Sequence, residues 1–226
     1  MLFPSKQILL YNIIYHLCSV FSSFHQSFPG GPLKCYSIRI KYLEGKNMKY
    51  FVASDIHGDS YWARRIVDTF IECKADKLIL LGDTLYHGPR NDLPAHHAPK
   101  KVIEILNNIA DKIIAVRGNC DTEVDQMVLK FPIMADYIYL VDEGQVFFVT
   151  HGHIYNPYKL PSVMPQGATL LMGHSHVAAD EELESPDGWK YRYLNPGSPS
   201  LPKESTLPSY IIIENGRAEL LQFEDQ

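Results

Sequence analysis

The chain has 226 residues, 46% hydrophobic and 21% charged, with a net charge of −5 at pH 7. These values are typical of a globular protein with one sizeable core, and the acidic balance disfavours nucleic acid as a partner, because a phosphate backbone requires a basic face. The four cysteines form no C-x-x-C pair, so the sequence predicts free thiols in a reducing, cytoplasmic compartment and argues against a disulfide framework or a zinc knuckle.

Residues 1–47 differ in composition from the rest of the chain. The stretch from Lys6 to Phe24 is apolar and aromatic, but it is too polar and too short for a membrane span. A signal peptide or an anchoring segment is an alternative, although no small-x-small cleavage site follows. The run that begins at Met48 is typical of the first strand of a cytosolic α/β domain. We therefore expect residues 1–47 to be an extension, either disordered or read from an incorrectly assigned upstream start, and residues 48–226 to be the folded domain.

The first half of this domain alternates short apolar runs with segments of helical periodicity. The predicted strands are Tyr50–Ser54, Lys77–Leu81 and Lys112–Val116. Ser60 is the expected N-cap of the first helix and Pro99 the expected first residue of the second. The residues expected at helical spacing in the first helix are Trp62, Ile66, Val67, Phe70 and Ile71. This β-α-β-α-β order predicts parallel strands with helices on the faces.

The second half changes character and consists of short predicted strands with turns between them. Asn215-Gly216 is a hairpin signal between the last two. The predicted strands are Tyr137–Val141, Gln145–Thr150, Thr169–Met172, Val177–Leu183, Trp189–Leu194, Ser209–Glu214 and Ala218–Phe223. Two packed sheets with helices outside is the fold that accounts for both halves with the fewest assumptions.

Polar residues cluster where the predicted strands end, which is where ligands bind in α/β sheets. Asp, Asn and His together are suited to Mn, Fe, Zn or Ni and differ from a thiolate zinc site. Each motif alone is weak evidence for a metal site, because Asp-x-His and Gly-Asp occur by chance in many chains. Five such pieces in order, each at a strand end, predict a metal site. The residues are Asp55, His57, Asp83, Asn119, His151, His153, His174 and His176.

These motifs, taken in order, resemble the calcineurin-like metallophosphoesterases, and more closely the small bacterial YfcE-type phosphodiesterases. The motifs are Asp55-Ile56-His57, Gly82-Asp83, Gly118-Asn119-Cys120-Asp121, His151-Gly152-His153 and Gly173-His174-Ser175-His176. Further similar segments are His87–Asn91, Val116–Met127 and Asn195-Pro196-Gly197-Ser198. The resemblance runs from Met48 to the C-terminal region. It implies an α/β fold, a four-layer αββα sandwich of two mixed sheets flanked by helices.

The resemblance also implies a site with two divalent metal ions, Mn²⁺ by the practice of the family, with Fe, Ni or Zn admitted by the ligand set. Asp83 would bridge the two ions, because a carboxylate has two oxygens. The other ligands would be Asp55, His57 and His176 for one ion and Asn119, His151 and His174 for the other. Hydroxide generated from metal-bound water would attack the phosphate in line. No serine or cysteine nucleophile is then needed.

Cys120 stands where many relatives carry a histidine credited with protonating the leaving group, although the YfcE-type proteins also carry cysteine. A thiol is a poor hydrogen-bond donor, so we expect diesters with acidic leaving groups to be favoured. His87 or His153 could supply a proton instead, and Arg90 or Arg117 could pair with a phosphate oxygen. Surface or structural roles for these four are equally open.

The sequence therefore predicts a metal-dependent phosphodiesterase acting on a small phosphodiester. The alternatives are a phosphomonoesterase, a nucleotide-pyrophosphate hydrolase, and a non-catalytic scaffold like the retromer subunit of this fold, which the complete set of seven ligands disfavours. Leu85–His97 is expected to form a loop over the site that contributes to substrate choice. Asp121 is expected to cap the next helix, with a contact to a metal ligand as the alternative. No nucleic-acid or membrane partner is expected, and exposed Tyr and Phe leave a homo-oligomer open.

Overall fold

The computed structural model describes residues 47–224. The predictions for the N-terminal extension, apart from its last residue, lie outside the described residues. Within this range no helix is both long and apolar enough to cross a membrane.

The described residues form ten strands and three α-helices, with one 3-10 turn at Ala110–Lys112. The helices are α1 (Ser60–Glu72), α2 (Pro99–Asn107) and α3 (Glu123–Val128). The strands are β1 (Lys49–Ala53), β2 (Lys77–Leu80), β3 (Ile113–Ala115), β4 (Tyr137–Asp142), β5 (Gln145–Thr150), β6 (Thr169–Leu171), β7 (Ala178–Glu184), β8 (Lys190–Pro196), β9 (Ser209–Glu214) and β10 (Arg217–Gln222). The predicted elements are all present, with ends that differ by one or two residues.

The strands form two mixed sheets of five strands each. The first has the order β10-β9-β1-β2-β3, with β1, β2 and β3 parallel and β9 antiparallel to β1. The second has the order β4-β5-β6-β8-β7, with a parallel centre and antiparallel edges. This confirms the predicted α/β class with two mixed sheets. The predicted hairpin is also confirmed, since Asn215 and Gly216 have φ of 55° and 71° in the turn between β9 and β10, as a two-residue type I′ turn requires.

A buried apolar layer lies between the two sheets. Val52 of β1 and Leu81, which directly follows β2, meet Phe147, Val149 and Leu194 from the second sheet, and all five are at most 1% exposed. Each such side chain stabilises the fold by about 1.5–3 kcal/mol relative to an exposed position. The packing fixes the two sheets face to face, and the loops that follow β1, β2, β3, β5 and β6 bring the predicted ligands together.

The two outer layers differ. Helices α1 and α2 cover the first sheet and pack on Phe51. The outer face of the second sheet is instead covered by the segment 152–168, which contains turns and no helix and packs Met164 against Phe148. Prolines at positions 157, 161 and 165 explain this difference, because a proline every four residues removes the backbone donors that a helix needs. Among the described residues, the fourth layer of the expected sandwich is therefore coil.

Helix α1 begins one residue earlier than the sequence suggested. Asp59, not Ser60, is its N-cap, and the Asp59 carboxylate accepts hydrogen bonds from the backbone N–H groups of Tyr61 and Trp62. Ile71, expected on the buried face, is 58% exposed because it lies at the rim of the stripe formed by Ile66 and Phe70.

Candidate metal centre

The predicted ligands converge beyond the carboxyl ends of the central strands. Asp55, His57 and His176 form one buried group in which the Asp55 Oδ1 atom lies 3.5 Å from His57 Nε2 and 3.3 Å from His176 Nε2. The two Nε2 atoms are 3.0 Å apart. All three residues are at most 2% exposed. One cation at their centre would contact all three.

A second group lies beside the first. His151 Nε2 is 3.0 Å from Asn119 Oδ1, 3.2 Å from His174 Nδ1 and 3.5 Å from Asp83 Oδ2. Asp83 Oδ2 is also 3.8 Å from His57 Nε2 in the first group. The Asp83 carboxylate therefore lies between the two groups, as a shared ligand must.

The histidine tautomers leave lone pairs directed into the site. Three rings place Nδ1 within 2.7–2.8 Å of a backbone carbonyl oxygen, to which this nitrogen donates its proton. The pairs are His57 with Tyr86, His151 with Leu81 and His176 with Leu201. In neutral histidine the other nitrogen, Nε2, is then an acceptor. Acceptor atoms thus face one another across the site, and Asp55 Oδ1 has no hydrogen-bond donor. A cation satisfies all of these atoms at once, so the residues fit a divalent metal.

The charges in the site agree with this arrangement. Burial opposes ionisation of Asp55, but the imidazoles of His151, His176 and His57, when they carry a second proton, hold its pKa well below the usual range. Burial likewise opposes a charge on His151, while Asp55 and Asp83 outweigh it and raise the pKa of His151 to about 9. The carboxylates are therefore ionised at neutral pH, and protons and metal compete for the same imidazole nitrogens.

Five of the seven predicted ligands have a left-handed backbone. Their φ angles are 54° (Asp55), 52° (His57), 53° (Asp83), 67° (His174) and 62° (His176). This conformation is uncommon for residues other than glycine and costs free energy that the surrounding structure must offset. It turns the chain sharply after each strand and directs each side chain toward the same point.

Two glycines allow the close approach of neighbouring loops. A Cβ atom at Gly118 would overlap the carboxylate of Asp83, and one at Gly173 would overlap Ser54 Oγ and the carboxylate of Asp55. Glycine is therefore required beside both carboxylates.

The prediction for Asp121 as a helix cap is wrong. Its carboxylate accepts hydrogen bonds from the backbone N–H groups of Asp83 (2.8 Å), Thr84 (2.9 Å) and Gly118 (2.8 Å). Helix α3 is capped instead by Thr122 and Asp125, whose side chains form a capping box. Asp121 joins the loops after β2 and β3 and fixes the backbone of Asp83. This agrees with the alternative expectation that Asp121 contacts a metal ligand.

The Asn-Pro-Gly-Ser segment, for which the sequence suggested no role, supports two ligand loops. Asn195 Nδ2 donates hydrogen bonds to Gly173 O and Ser175 Oγ, both at 2.9 Å. Ser198 Oγ donates to Asp55 O at 2.7 Å. These contacts hold the left-handed turns from outside the site.

The site opens into a pocket of about 390 Å³. The predicted loop Leu85–His97 contains no helix or strand, and Gly88–Asn91 form part of the pocket wall, including the basic side chain of Arg90. Lys203 supplies a second basic residue that sequence reasoning missed. Its loop is held to the site by the Lys203 N–H group, which donates to His176 O at 3.0 Å.

The other predicted side chains are less well placed. Arg117 pairs with Asp136 at 2.6 Å and does not line the pocket. His87 does not line it either, and its ring packs 5.3 Å from that of His97. The His153 ring lies 5.4 Å from His151, and burial together with the charges of neighbouring histidines lowers the pKa of His153 to about 4. His153 is therefore neutral at pH 7 and a poor proton donor.

Cys120 lies in the pocket wall and is 8% exposed. Its backbone N–H donates to Asp83 Oδ1 at 2.8 Å, and its Sγ accepts a hydrogen bond from Asn119 Nδ2 at 3.2 Å. Burial and the charge of Asp83 raise the pKa of the thiol far above its usual value. The thiol thus stays protonated and packs between two predicted ligands.

Comparisons with known proteins agree with this geometry. The domain model described as "Calcineurin-like phosphoesterase superfamily domain" matches residues 48–217. The chain is 44% identical over 179 residues to phosphodiesterase YfcE of Escherichia coli strain K12, which covers 79% of this chain and 94% of the relative.

Solved structures show the same likeness. A solved structure of Yfce, a phosphoesterase from E. coli, superposes with a TM-score of 0.69 at 45% identity, covering 74% of this chain and 89% of the other. A metallophosphoesterase from Sphaerobacter thermophilus shares the fold, with a TM-score of 0.52 at 18% identity and coverage of 79% and 89%. The chain therefore belongs to the calcineurin-like phosphoesterase superfamily.

Proposed function

We propose that this protein is a metal-dependent phosphodiesterase that hydrolyses a small phosphodiester at a centre for two divalent cations. The observation that carries the proposal is the position of Asp83, whose Oδ2 atom lies 3.8 Å from His57 Nε2 in one ligand group and 3.5 Å from His151 Nε2 in the other. The relative at 44% identity is a phosphodiesterase, which supports the same reaction class here.

The ligands we propose are those expected from the sequence. Asp55, His57 and His176 would hold one cation and Asn119, His151 and His174 the other, with Asp83 shared. When bound, two such cations polarise the phosphate and lower the pKa of water near neutral pH. The ligands are imidazole, amide and carboxylate, which admit Mn, Fe, Ni and Zn, and we propose Mn²⁺ as the native ion.

Residues of the pocket wall complete the chemistry. Arg90 and Lys203 lie where their positive charges can neutralise the non-bridging phosphate oxygens. Cys120 holds its proton too tightly to be an efficient donor, and His153 is neutral at pH 7 and lacks the acidic second proton of an imidazolium. The site is then expected to act best on esters whose leaving group departs without being protonated. Such leaving groups are acidic alcohols, so we expect diesters of acidic alcohols to react faster than monoesters of weakly acidic alcohols.

We also propose a cytoplasmic location and a small-molecule substrate for this protein. The free thiols of Cys73 and Cys120 are consistent with a cytoplasmic location. The net charge of −5 supports a small-molecule substrate rather than nucleic acid or a membrane surface. A homo-oligomer is compatible with exposed aromatic residues such as Tyr137 and Tyr139, which are 37% and 43% exposed.

The test uses protein stripped with a chelator and reloaded with Mn²⁺. We expect hydrolysis of bis-p-nitrophenyl phosphate to require metal and to exceed hydrolysis of p-nitrophenyl phosphate. Elemental analysis should find two metal ions per chain. Faster turnover of the monoester would favour the phosphomonoesterase instead, and bound metal without turnover of either substrate would favour a scaffold.

Cys120→Ser tests the role of the thiol. Serine keeps the backbone N–H that contacts Asp83. Its hydroxyl group is similar in size to the thiol and can accept the same hydrogen bond from Asn119. We therefore expect kcat for bis-p-nitrophenyl phosphate to change by less than about tenfold, or about 1.4 kcal/mol. A loss of several hundredfold with normal metal content would instead identify the thiol as a catalytic group.

A further inference from the structure

A second cavity adjoins the pocket of the metal centre and shares His174 and Ser175 with it. We call it the aromatic groove; its volume is about 600 Å³. Alternate residues of β7 and β8 face it, because successive side chains in a strand point to opposite sides. Most of its wall is apolar or aromatic, formed by Tyr158, Met172, Val177, Leu183, Tyr191 and Tyr193.

The groove and the metal pocket differ in where their basic side chains lie. Three carboxylates line the groove, those of Glu181, Glu184 and Glu204, and no lysine or arginine is among its described lining residues. The pocket of the metal centre has Arg90 and Lys203 instead. A phosphate is thus attracted to the basic side chains of the metal pocket, whereas a group bound in the aromatic groove meets negative charge.

The basic residues of the same sheet are paired on its other side. Glu182, next to Glu181 on β7, pairs with Lys190, and Asp180 pairs with Arg192 through two hydrogen bonds of 2.8 Å. These cations neutralise carboxylates that face away from the groove. Glu184 lies on the same side of β7 as Glu182 and stands opposite Lys190 on β8. The negative charge of the groove therefore comes mainly from Glu181, which alternates with these residues on β7, and from Glu204 outside the strand.

Tyr158 is presented at the groove by a tight turn. Asn156 Oδ1 accepts a hydrogen bond from the Tyr158 N–H at 3.0 Å, and Asn156 Nδ2 donates to Gly152 O at 3.0 Å. The Tyr158 side chain is fully exposed, so the turn fixes the backbone while the ring is free to contact a ligand. Aromatic rings combined with carboxylates are the features that recognise organic ammonium groups.

We propose that the aromatic groove binds the ester group that stays on the phosphate, and that it selects an alcohol carrying a cationic ammonium group. This inference rests on the proposed phosphodiesterase function. The groove reaches the metal centre at His174 and Ser175 and does not include Cys120, which lines only the pocket of the metal centre. Water adds across the P–O bond to the leaving group, so the product is the leaving alcohol and a phosphate monoester of the ammonium alcohol.

The test compares two diesters with the same p-nitrophenolate leaving group. One is p-nitrophenyl phosphocholine, and the other is its uncharged isostere, in which a tert-butyl group replaces the trimethylammonium group. Their shapes and leaving groups match, so the ratio of their kcat/KM values reports the charge alone. With the Mn²⁺-loaded protein we expect kcat/KM to be at least about tenfold higher for the cationic substrate, from cation–π and carboxylate attraction together.

Glu181→Gln combined with Glu204→Gln should move this ratio toward one, mainly by raising KM for the cationic diester. Glu182→Gln is the matched control, because it makes the same change one residue away on the opposite face, and it should leave the ratio unchanged. Wild-type turnover of bis-p-nitrophenyl phosphate with a ratio near one that the variants do not alter would overturn the inference alone. Absence of turnover of every diester would overturn the proposed function and the inference with it.

Discussion

Asp83→Asn is expected to reduce kcat for bis-p-nitrophenyl phosphate by at least about a thousandfold and to weaken binding of both cations. The substitution removes the negative charge that the two ligand groups share and places an N–H donor where Oδ2 faces His57 and His151. A shared carboxylate contributes several kcal/mol to holding and using two cations, and each 1.36 kcal/mol changes a rate tenfold.

The fold should survive this change. Asp83 Oδ1 accepts the Cys120 N–H at 2.8 Å, and the amide oxygen of asparagine can accept the same hydrogen bond. We therefore expect urea unfolding of Asp83→Asn in chelator to match that of the wild type, while elemental analysis shows less bound metal. Asp142→Asn is the control, because Asp142 is a buried acid that accepts the Gly216 N–H away from the site. Normal turnover and two bound metals in Asp83→Asn would exclude the shared-ligand role.

The positions of the candidate ligands could be predicted because they follow from strand geometry. Parallel strands bring their carboxyl ends to one edge, so Asp55, Asp83 and Asn119 had to be neighbours once the β-α-β-α-β order was recognised. The two histidine pairs joined them because β5 and β6 are also parallel and lie in the facing sheet. Periodicity and residue type sufficed for this part of the site.

Residues that act through the backbone could not be predicted in this way. The Asp121 carboxylate accepts N–H groups of Asp83 and Thr84, which are 38 and 37 positions away, and nothing in the local sequence distinguishes this role from a helix cap. Lys203 reaches the pocket because its loop bonds to His176 O, a tertiary contact without a sequence pattern.

The coil layer over the second sheet did have a signal. The prolines of the segment 152–168 are spaced four residues apart, which excludes a regular helix there. The N-cap of α1 was ambiguous for a different reason, since Asp59 and Ser60 are both good capping residues and only the extended backbone of Asp59, with ψ of 113°, decides between them.

Asp121→Asn is expected to destabilise the protein by about 2–4 kcal/mol, which lowers the Tm of a domain of this size by about 5–15 °C. Both carboxylate oxygens of Asp121 already accept backbone N–H groups. Either orientation of an asparagine amide therefore directs its NH₂ group at a buried donor, and at least one hydrogen bond to a charged group is lost. The displaced backbone of Asp83 should also reduce turnover.

Asp125→Asn is the matched control for this prediction, because it makes the same change four residues later at a half-buried position. Asp125 belongs to the capping box of α3, and loss of a cap costs about 1 kcal/mol. The two site variants should then differ in what they lose. Asp83→Asn should bind less metal but keep the wild-type urea midpoint in chelator, whereas Asp121→Asn should have a lower urea midpoint even in chelator. Equal urea midpoints for Asp121→Asn and Asp125→Asn would show that Asp121 does no more than a cap does, and the link from its carboxylate to the position of Asp83 would have to be abandoned.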